Sequence, residues 1–359
     1  MKALIAAGGR ATRLRPLTHT TNKHLIPLAN EPMIFNAIGK VVEIGVKDVF
    51  INVNPGEMEI QKYVGDGARW GIDIRYIEQT GGPLGLAHIV KNAESYIGNE
   101  KFIFYLGDNL VLGSLKPLYD KFETENLDAL FAFAEVKDPR GFGVPEMIDG
   151  RLMRIVEKPA NPACNLAQTG IYFYTPKIFD AVKNIAPSVR GEYEISDANT
   201  YLIRKGANVG WLKTEGWWKD TGKPEDLLEG NQLLLSEKAA REESENLAEV
   251  EPGVSIHGKV WIGEGTKILG KTRIRGPVIL GKDCVIEDAY IGPHTSIGNG
   301  ARVRKAEIEH SIIFDRVDIN CGARIIDSIV GYNASIAAAE ETMPRGHRLI
   351  IGDNTVIEL

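Results

Sequence analysis

Over roughly its first 230 residues, the chain alternates short apolar runs with amphipathic stretches. The runs have the length of buried strands and read KALIAA, DVFINV, IRYIEQ, FIFYLGDN and ALFAFAEV. After Pro32, apolar residues recur at helical spacing at Ile34, Ala37, Ile38 and Val41, which predicts a helix that the proline opens. Strands that alternate with helices predict an α/β fold with a Rossmann-like, three-layer, mostly parallel sheet. Such sheets bind ligands at the carboxyl ends of their strands.

The pattern changes near residue 254, where an apolar residue begins to recur at every sixth position with glycines between. After one five-residue step the series continues, and its members are Ile256, Ile262, Ile268, Ile274, Leu280, Ile286, Ile291, Ile297 and Val303. This period is typical of a parallel β-helix with three short faces per coil. The repeat blurs after Val303, so we expect irregular coils from there to residue 359.

A polar, acid-rich stretch of helical character, LLEGNQLLLSEKAAREESENLAEVE, lies between the two patterns. The chain is also longer than a single hydrophobic core usually supports. We therefore expect a first domain over residues 1–235, a helical linker over 236–253 and a β-helix of hexapeptide repeats over 254–359.

The distribution of charge says more than its sum. A net charge of −6 gives no general nucleic-acid footprint. The first acidic residue is Glu31, however, and every charge before it is basic, at Lys2, Arg10, Arg13, Arg15 and Lys23. In an acidic protein, such a segment predicts an anion site for a small phosphate-bearing molecule.

No stretch approaches about 20 continuous apolar residues, so we expect no membrane span. The apolar run that ends at Gly8 is too short for a signal peptide, and the three cysteines show no metal-site spacing. We therefore expect a cytoplasmic protein with reduced thiols.

The loop from Gly8 to Thr18 is the candidate phosphate site. Small residues directly after a buried strand let backbone N–H groups approach phosphate oxygens, and Arg13 adds fixed positive charge. The dinucleotide fingerprint GxGxxG is absent, and the alternative is a tight turn with solvated arginines. Lys23 continues the same acid-free segment.

Two aspartates from distant segments are candidate Mg²⁺ ligands. Asp108 follows the apolar run FIFYLG, and Asp220 lies in GWWKDTG. Carboxylates at strand ends can hold Mg²⁺ against a triphosphate, although an aspartate there can equally cap the next helix.

Three further signals are weaker. Glu157 and Lys158 offer a carboxylate for sugar hydroxyls beside an ammonium for a phosphate, and Gln79 and Gly85 offer a base contact. Each pair is also compatible with an ordinary surface turn. The stretch GTKILGKT at residues 265–272 matches the P-loop pattern, but its glycines belong to the six-residue repeat and no helix is predicted after it. We interpret this match as coincidence.

As an ordered set, these motifs resemble those of the sugar-1-phosphate nucleotidyltransferases, and specifically of the long-form glucose-1-phosphate thymidylyltransferases. The resemblance covers essentially the whole chain, through AAGGRATRLRPLTHTTNKHLIPLANEPMI, YIEQTGGPLGLAHIV, YLGDN, FGVPE, IVEKPANP, QTGIYFY, RGEYEISD and GWWKDTGKPEDLLE. It implies a nucleotidyltransferase fold followed by a left-handed β-helix. It also implies Mg²⁺-dependent transfer of a nucleotidyl group from dTTP to glucose-1-phosphate, with release of pyrophosphate.

The resemblance also implies residue roles. Arg13 would orient and polarise the α-phosphate, and Lys23 would bind phosphates at the reaction centre. Asp108 and Asp220 would hold Mg²⁺, Asp108 also contacting the nucleotide. The remaining implied contacts are Gly8, Gly9, Ala11 and Thr12 with the phosphates, Gln79 and Gly85 with the base, and Gly143, Glu157, Lys158 and Thr169 with the sugar phosphate.

The chain departs from the family pattern at Ala11, where GGxGTR has glycine. Alanine is disfavoured if the backbone there needs a positive φ, and its methyl group would crowd a triphosphate. The implied mechanism is direct in-line displacement at the α-phosphorus. The attacking sugar-phosphate oxygen is already anionic, so the reaction needs no general base.

Three alternatives stay open. The enzyme could use UTP or another hexose-1-phosphate. The β-helix could be an acyltransferase with His257, His294 or His310 as base, although turn or surface histidines are the simpler interpretation. The chain could instead be a non-catalytic sugar-nucleotide sensor with Ala11 as the lesion. For the β-helix we favour a role in oligomerisation or stability, and so expect a homo-oligomer.

Overall fold

The computed structural model describes residues 1–9, 11–214, 216–338 and 352–358, and it divides into two compact units. The first unit comprises Met1–Arg10 and Met33–Asp220, and the second comprises Ala11–Pro32 and Thr221–Leu359. The predicted division of the chain at residues 235 and 253 stays a prediction.

Up to residue 241 the chain forms strands and helices in alternation. The strands are β1 (Lys2–Ala6), β2 (Pro27–Leu28), β3 (Glu31–Pro32), β4 (Asp48–Val53), β5 (Asp73–Glu78), β6 (Phe102–Leu106), β7 (Asn109–Val111), β8 (Ala129–Glu135), β9 (Gly143–Ile148), β10 (Arg151–Glu157), β11 (Leu166–Tyr174), β12 (Val209–Lys213) and β13 (Trp218–Asp220). The α-helices are α1 (Ile34–Glu43), α2 (Glu59–Val64), α3 (Leu86–Asn92), α4 (Glu94–Ile97), α5 (Lys116–Thr124), α6 (Lys177–Asn184), α7 (Ile195–Arg204) and α8 (Pro224–Arg241).

The first unit is built on a seven-stranded sheet with the order β12-β8-β11-β6-β1-β4-β5. Strand β11 is antiparallel to both of its neighbours, and the other pairs are parallel. The mostly parallel sheet is therefore confirmed, and the five apolar runs form β1, β4, β5, β6 and β8. The first helix begins at Ile34, because Pro32 pairs with Pro27 in the β2–β3 hairpin instead of opening the helix.

Helices cover both faces of this sheet, as strand β11 illustrates. Tyr172 and Tyr174 belong to a core that includes Phe102 of β6 and residues of α3, α6 and α7. Phe173 packs instead against Phe122 of α5, with ring centroids 5.5 Å apart. Because side chains alternate along a strand, these contacts lie on opposite faces. Burial on both faces explains why the strands are continuous apolar runs.

The second unit contains the β-helix. Its strands are β14 (Glu245–Asn246), β15 (Glu249–Val250), β16 (Ser255–His257), β17 (Val260–Ile262), β18 (Lys267–Leu269), β19 (Arg273–Arg275), β20 (Val278–Leu280), β21 (Val285–Glu287), β22 (Tyr290–Ile291), β23 (Thr295–Ile297), β24 (Arg302–Arg304), β25 (Glu307–Glu309), β26 (Ile312–Ile313), β27 (Asp318–Asn320), β28 (Arg324–Ile326), β29 (Ile329–Val330) and β30 (Ser335–Ala337). They form three parallel sheets, β14-β17-β20-β23-β26-β29, β15-β18-β21-β24-β27-β30 and β16-β19-β22-β25-β28.

The isoleucines of the six-residue repeat stack in register along each sheet. In the third sheet, Ile274 pairs with Ile256 and Ile291, and Ile308 follows. The coils after Val303, which we expected to be irregular, continue as regular strands to Ala337 within the described residues. Besides Gly322, their turns use residues other than glycine with positive φ, namely Lys305, His310, Arg316, Asp327 and Asn333.

The segment 236–253, expected to be helical, is helical only as far as Arg241. The short strands β14 and β15 follow it and form the first coil with β16, pairing with β17 and β18 of the second coil. The P-loop-like stretch at residues 265–272 contains β18 and leads into β19, not into a helix, as its place in the repeat predicts. Among the described residues, no helix is long and apolar enough to cross a membrane.

Candidate functional site

The carboxyl ends of β4, β1 and β6 lie side by side. Ala6 of β1 is in register with Asn52 of β4 and Leu106 of β6. The backbone N–H of Gly107 donates to the carbonyl of Ala6 at 2.9 Å, so the next turn continues from the same level. Parallel strands that end together place the residues after them at one edge of the sheet. Gly8, Gln79 and Asp108 follow β1, β5 and β6 in this way.

Side-chain amides surround Gly8. A methyl group on Gly8 would lie 3.2 Å from Oδ1 of Asn54 and from Oε1 of Gln79, and 3.4 Å from Oδ1 of Asn52. Gln79 is buried and donates through Nε2 to the carbonyl of Gly82 at 3.0 Å. Sequence reasoning missed Asn52 and Asn54, because their proximity to Gly8 depends on the pairing of β4 with β1, which no local pattern of residues shows.

Gly85 is required by a close approach of another segment. Its φ is 99°, and a methyl group there would lie 2.7 Å from the carbonyl oxygen of Tyr193. The N–H of Ala87 donates to this oxygen at 3.1 Å, and the N–H of Tyr193 donates to the carbonyl of Leu84 at 2.7 Å. The stretch RGEYEISD, to which the sequence assigned no chemistry, therefore pairs with the predicted base-binding loop. A contact of Gly85 with a base stays a prediction.

The two candidate metal ligands lie next to the β7–β13 pair: Asp220 ends β13, and Asp108 directly precedes β7. The antiparallel pairing of β13 with β7 sets Asp220 opposite Asn109, the residue after Asp108. The indole N–H of Trp218 donates to Oδ1 of Asn109 at 2.9 Å, and Nδ2 of Asn109 donates to Oδ1 of Asp108 at 2.9 Å. This relay orients the Asp108 carboxylate. The sequence did not identify Trp218 or Asn109, since the relay joins segments far apart in the chain.

These carboxylates fit a hard cation that takes some of its oxygen ligands from the protein and the others from a substrate and water. In the part of the chain that the structure describes, no group of three or more His, Cys, Asp or Glu side chains is placed to enclose a metal ion. Mg²⁺ is commonly held by one or two carboxylates and takes its remaining oxygens from phosphates and water. The pair Asp108 and Asp220 matches that donor set.

Glu157 lies among hydrogen-bonding and charged groups at the end of β10. Its Oε2 accepts a hydrogen bond from the Ser196 hydroxyl at 2.7 Å. Its Oε1 is 3.7 Å from Nζ of Lys158 and 3.6 Å from the guanidinium of Arg190. Burial raises the pKa of the Glu157 carboxyl above the ordinary glutamate value, and the hydrogen bond from Ser196 opposes that rise. Arg190 and Ser196 both belong to RGEYEISD and were missed by the sequence.

The two other residues predicted for the sugar pocket, Gly143 and Thr169, are both in close contact with neighbouring side chains or backbone. A methyl group on Gly143 would lie 2.5 Å from Oε1 of Gln168 and 2.6 Å from the Ser196 hydroxyl, so a side chain there would displace both groups. Thr169 is fully buried; its hydroxyl donates to the carbonyl of Ala132 at 3.1 Å and its carbonyl accepts from the Trp218 indole at 2.8 Å. The Thr169 side chain is therefore used by the sheet itself.

Ala11, in the second unit, has φ 43° and ψ 44°, the left-handed conformation. This explains why the family pattern has glycine at this position. An L-residue pays about 1–2 kcal/mol for this conformation. The carbonyl of Ala11 accepts hydrogen bonds from the N–H of Leu14 at 3.0 Å and from the hydroxyl of Thr18 at 2.8 Å, which hold the turn before the 3₁₀ helix Thr12–Leu14.

The two predicted catalytic cations lie in the same unit. A methyl group on Gly222 would lie 3.2–3.4 Å from three atoms of the Arg13 guanidinium, so the absence of a side chain at Gly222 makes room for it. Lys23 begins a 3₁₀ helix, Lys23–Leu25, and its residue surface is only 8% exposed. Asn22 caps this helix, accepting from the N–H of His24 at 2.8 Å. A positive charge on a nearly buried side chain is stabilised by a group of opposite charge.

Comparison with known proteins decides the family. Residues 2–237 match the model of the family described as Nucleotidyl transferase. The chain belongs to this family.

Relatives of this nucleotidyl transferase match its full length. It is 41% identical over 361 residues to the glucose-1-phosphate thymidylyltransferase of Streptomyces antibioticus, covering 100% of this chain and 99% of that protein. It is 38% identical to the low-salt glycan biosynthesis nucleotidyltransferase Agl11 of Haloferax volcanii, covering 100% of both. A solved structure of a candidate glucose-1-phosphate thymidylyltransferase from Bacillus anthracis, in complex with a sucrose, aligns with a TM-score of 0.61 and 34% identity. It covers 65% of this chain and 94% of that one.

Two of the three β-helix histidines named as candidate bases, His294 and His310, contact α8 in this nucleotidyl transferase, and His257 is exposed. Nε2 of His310 lies 2.9 Å from Oε1 of Gln232 on α8, and Nε2 of His294 lies 3.3 Å from the Ser236 hydroxyl on the same helix. Burial, reinforced by the neighbouring His310, lowers the pKa of His294. Contact with α8 accounts for both histidines without acyl-transfer chemistry.

We expect Ala11→Gly to raise the free energy of unfolding by about 0.5–1 kcal/mol, because glycine adopts a positive φ without the Cβ clash but loses more entropy on folding. Reversible urea unfolding followed by circular dichroism measures the difference. Ala239→Gly is the matched control, since it lies in helix α8 of the same unit, where this exchange costs about 1 kcal/mol. Equal losses at the two positions would contradict strain at Ala11.

Proposed function

We propose that this nucleotidyl transferase moves a thymidylyl group from dTTP to glucose-1-phosphate with Mg²⁺ as cofactor, giving dTDP-glucose and pyrophosphate. The observation that supports the proposal is the β7–β13 pairing, which sets Asp220 opposite Asn109, the residue that follows Asp108. The full-length similarity to the Streptomyces antibioticus enzyme supports the choice of dTTP and glucose-1-phosphate.

Asp108 and Asp220 would hold the cation. When bound, Mg²⁺ supplies positive charge to the triphosphate oxygens. The relay from Trp218 through Asn109 fixes the direction of one Asp108 oxygen. A carboxylate oriented in this way loses less entropy on binding a metal than a freely rotating one.

Arg13 and Lys23 would stabilise charge on the phosphates. Their positive charges suit the α-phosphorus as the attacking oxygen approaches and pyrophosphate departs. The attacking oxygen belongs to the sugar phosphate and is already anionic near neutral pH, so no side chain has to remove a proton. Gly8, Gly9, Ala11 and Thr12 would contribute backbone N–H groups to the same phosphates.

Glu157 would accept hydrogen bonds from the sugar hydroxyls, and Lys158 would pair with the sugar phosphate. Arg190, 3.6 Å from Glu157, adds a second positive charge beside the carboxylate. Gly143 would line the same pocket through its backbone, since Gln168 and Ser196 occupy the space where its side chain would lie. Thr169 would contribute through its backbone, because its hydroxyl donates to Ala132.

Gln79 and Gly85 would face the base. The Gln79 amide is held in one orientation by its hydrogen bond to Gly82, which leaves its Oε1 beside Gly8. A fixed amide of this kind can distinguish a pyrimidine by its hydrogen-bonding edge. It distinguishes the C5 methyl group of thymine from uracil only through the space around the ring.

We also propose that the enzyme works in the cytoplasm as a homo-oligomer, on nucleoside triphosphates and hexose phosphates and not on nucleic acids or membranes. The three cysteines, Cys164, Cys284 and Cys321, are all free thiols, as expected in a reducing compartment. Assembly through the β-helix stays a prediction.

The first experiment offers purified protein Mg²⁺, glucose-1-phosphate and one nucleoside triphosphate at a time, and measures pyrophosphate release. We expect fast release with dTTP and slow release with CTP, ATP and GTP. Comparable rates with UTP would keep the reaction and make the base site permissive. No release with any triphosphate and any hexose-1-phosphate would contradict the proposal and favour the sensor alternative.

We expect Asp108→Asn and Asp220→Asn each to lower kcat at least about 100-fold, because a metal site supplies several kcal/mol of transition-state stabilisation. Far-UV circular dichroism should be unchanged. Asp149→Asn is the matched control: Asp149 lies in an exposed turn with φ 49°, which asparagine also tolerates. Near-wild-type turnover in either site variant would exclude that residue as a ligand.

The pH dependence tests the Glu157 assignment. Because burial raises its pKa, the carboxylate that accepts sugar hydroxyls is lost, as pH falls, at a higher pH than for an ordinary glutamate. Ser196→Ala removes the donor that opposes this rise, so the acid limb of kcat/KM for glucose-1-phosphate should move to still higher pH. The substrate phosphate also titrates near pH ~6 but does so identically in both enzymes.

The control for this experiment is Glu157→Gln, with and without Ser196→Ala. Without the carboxylate, the second substitution should leave the acid limb where it is. An acid limb that is the same in the wild type and in Ser196→Ala would show that Glu157 does not titrate in the substrate-binding step.

A further inference from the structure

Asn231 lies near the middle of α8 and is fully buried. Its Oδ1 accepts hydrogen bonds from the N–H of Ala29 at 2.8 Å and from the hydroxyl of Ser296 at 2.5 Å. Its Nδ2 donates to the carbonyl of His294 at 3.0 Å. One amide therefore joins three parts of the second unit: α8, the β-helix and the segment Ala11–Pro32. An unsatisfied polar atom at such a site costs about 1–3 kcal/mol, which favours retaining all three bonds.

The contact to Ala29 holds the tip of the β2–β3 hairpin. Ala29 and Asn30 form its two-residue turn with φ 48° and 62°, and a type I′ turn requires positive φ at both of these positions. Asn30 makes a second bond to the β-helix, since its Nδ2 donates to the carbonyl of Ile297 on β23 at 2.7 Å. Two side-chain amides thus fix one turn: Asn231 accepts a hydrogen bond from its backbone, and Asn30 of the turn donates one to the β-helix.

The hairpin is close in sequence to Lys23. Only Ile26 separates the 3₁₀ helix Lys23–Leu25 from β2, and the N–H of Ile26 donates to the carbonyl of Lys23 at 3.1 Å. Little backbone freedom remains between the anchored tip and the lysine. Leu17, nearer to Arg13, also approaches the β-helix, because its Cδ2 would lie 3.6 Å from a methyl group on Gly331.

We propose that Asn231 is a positioning residue, which anchors the segment that carries Arg13 and Lys23 to the β-helix. The β-helix then acts as a scaffold for these two cations, a role different from oligomerisation or general stability. The kinetic part of this inference rests on the proposed function. Transition-state charge stabilisation depends steeply on position, and a displacement of about 1 Å can cost about 100-fold in rate.

The test is Asn231→Ala in the full-length protein, with turnover expressed per folded molecule. We expect kcat to fall about 10–100-fold, as for the loss of a residue that orients an active group. The KM for glucose-1-phosphate should change less than about 2-fold, since the predicted sugar contacts lie in the first unit. Amide exchange at Ala29, read by mass spectrometry or NMR, should accelerate because its acceptor has been removed.

Thr272→Val is the matched control. Thr272 is equally buried, and its hydroxyl bonds to Leu269 and Ala289 stay within the β-helix. It should lower the unfolding midpoint while kcat and the exchange rate at Ala29 stay at wild-type values.

Asn30→Gly is a second variant that keeps the favoured positive φ and removes only the bond to Ile297. If both amides hold the same turn, the fold-loss of kcat in the double variant Asn30→Gly/Asn231→Ala should be smaller than the product of the two single fold-losses.

In Asn231→Ala, faster exchange at Ala29 with an unchanged kcat would overturn the positioning role. Unchanged exchange at Ala29 would overturn the anchor. A wild-type protein without pyrophosphate release would count against the proposed function, and the exchange result alone would then decide the anchor.

Discussion

The in-register parallel pairing of β1 with β4 and β6 is the constraint on which the candidate site of the first unit depends. Hydrogen bonds along these strands fix the level at which each one ends, and Gly8, Asn54 and Asp108 emerge at that level. A slip of one residue would reverse the face of every side chain in a strand. The apolar strands are buried on both faces, so core packing sets their register. The register in turn sets the positions of the polar groups that follow the strands.

This dependence explains which parts of the site the sequence could predict. Asp108 was accessible to sequence reasoning because an aspartate directly after an apolar strand has a defined place in a parallel sheet. Trp218 and Ser196 were not, since each acts by a hydrogen bond to a residue far away in the chain, Asn109 or Glu157. No local pattern of residues records such a bond.

In the β-helix, too, local requirements could be predicted from the sequence and the conformation of the turns could not. Its six-residue period was visible because one buried apolar residue per face is a strictly local requirement. The later coils were expected to be irregular because the repeat blurs after Val303, yet Lys305, His310 and Arg316 adopt positive φ in the turns and the strands keep their register. Ala11 and Ala29 adopt the same conformation in the segment 11–32. Hydrogen bonds from Leu14 and Thr18 to Ala11, and from Ala29 to Asn231, offset the backbone strain.

The chain passes between the two compact units three times, after residues 10, 32 and 220. The segment Ala11–Pro32 is therefore separated in sequence from the β-helix with which it forms one unit. A chimaera that exchanged the β-helix for that of a relative, with the junction in or near α8, would leave Asn30 and Leu17 facing foreign coils. A functional chimaera of this protein therefore has to take residues 11–32 and the β-helix from the same parent, although residues 33–244 separate them in the sequence.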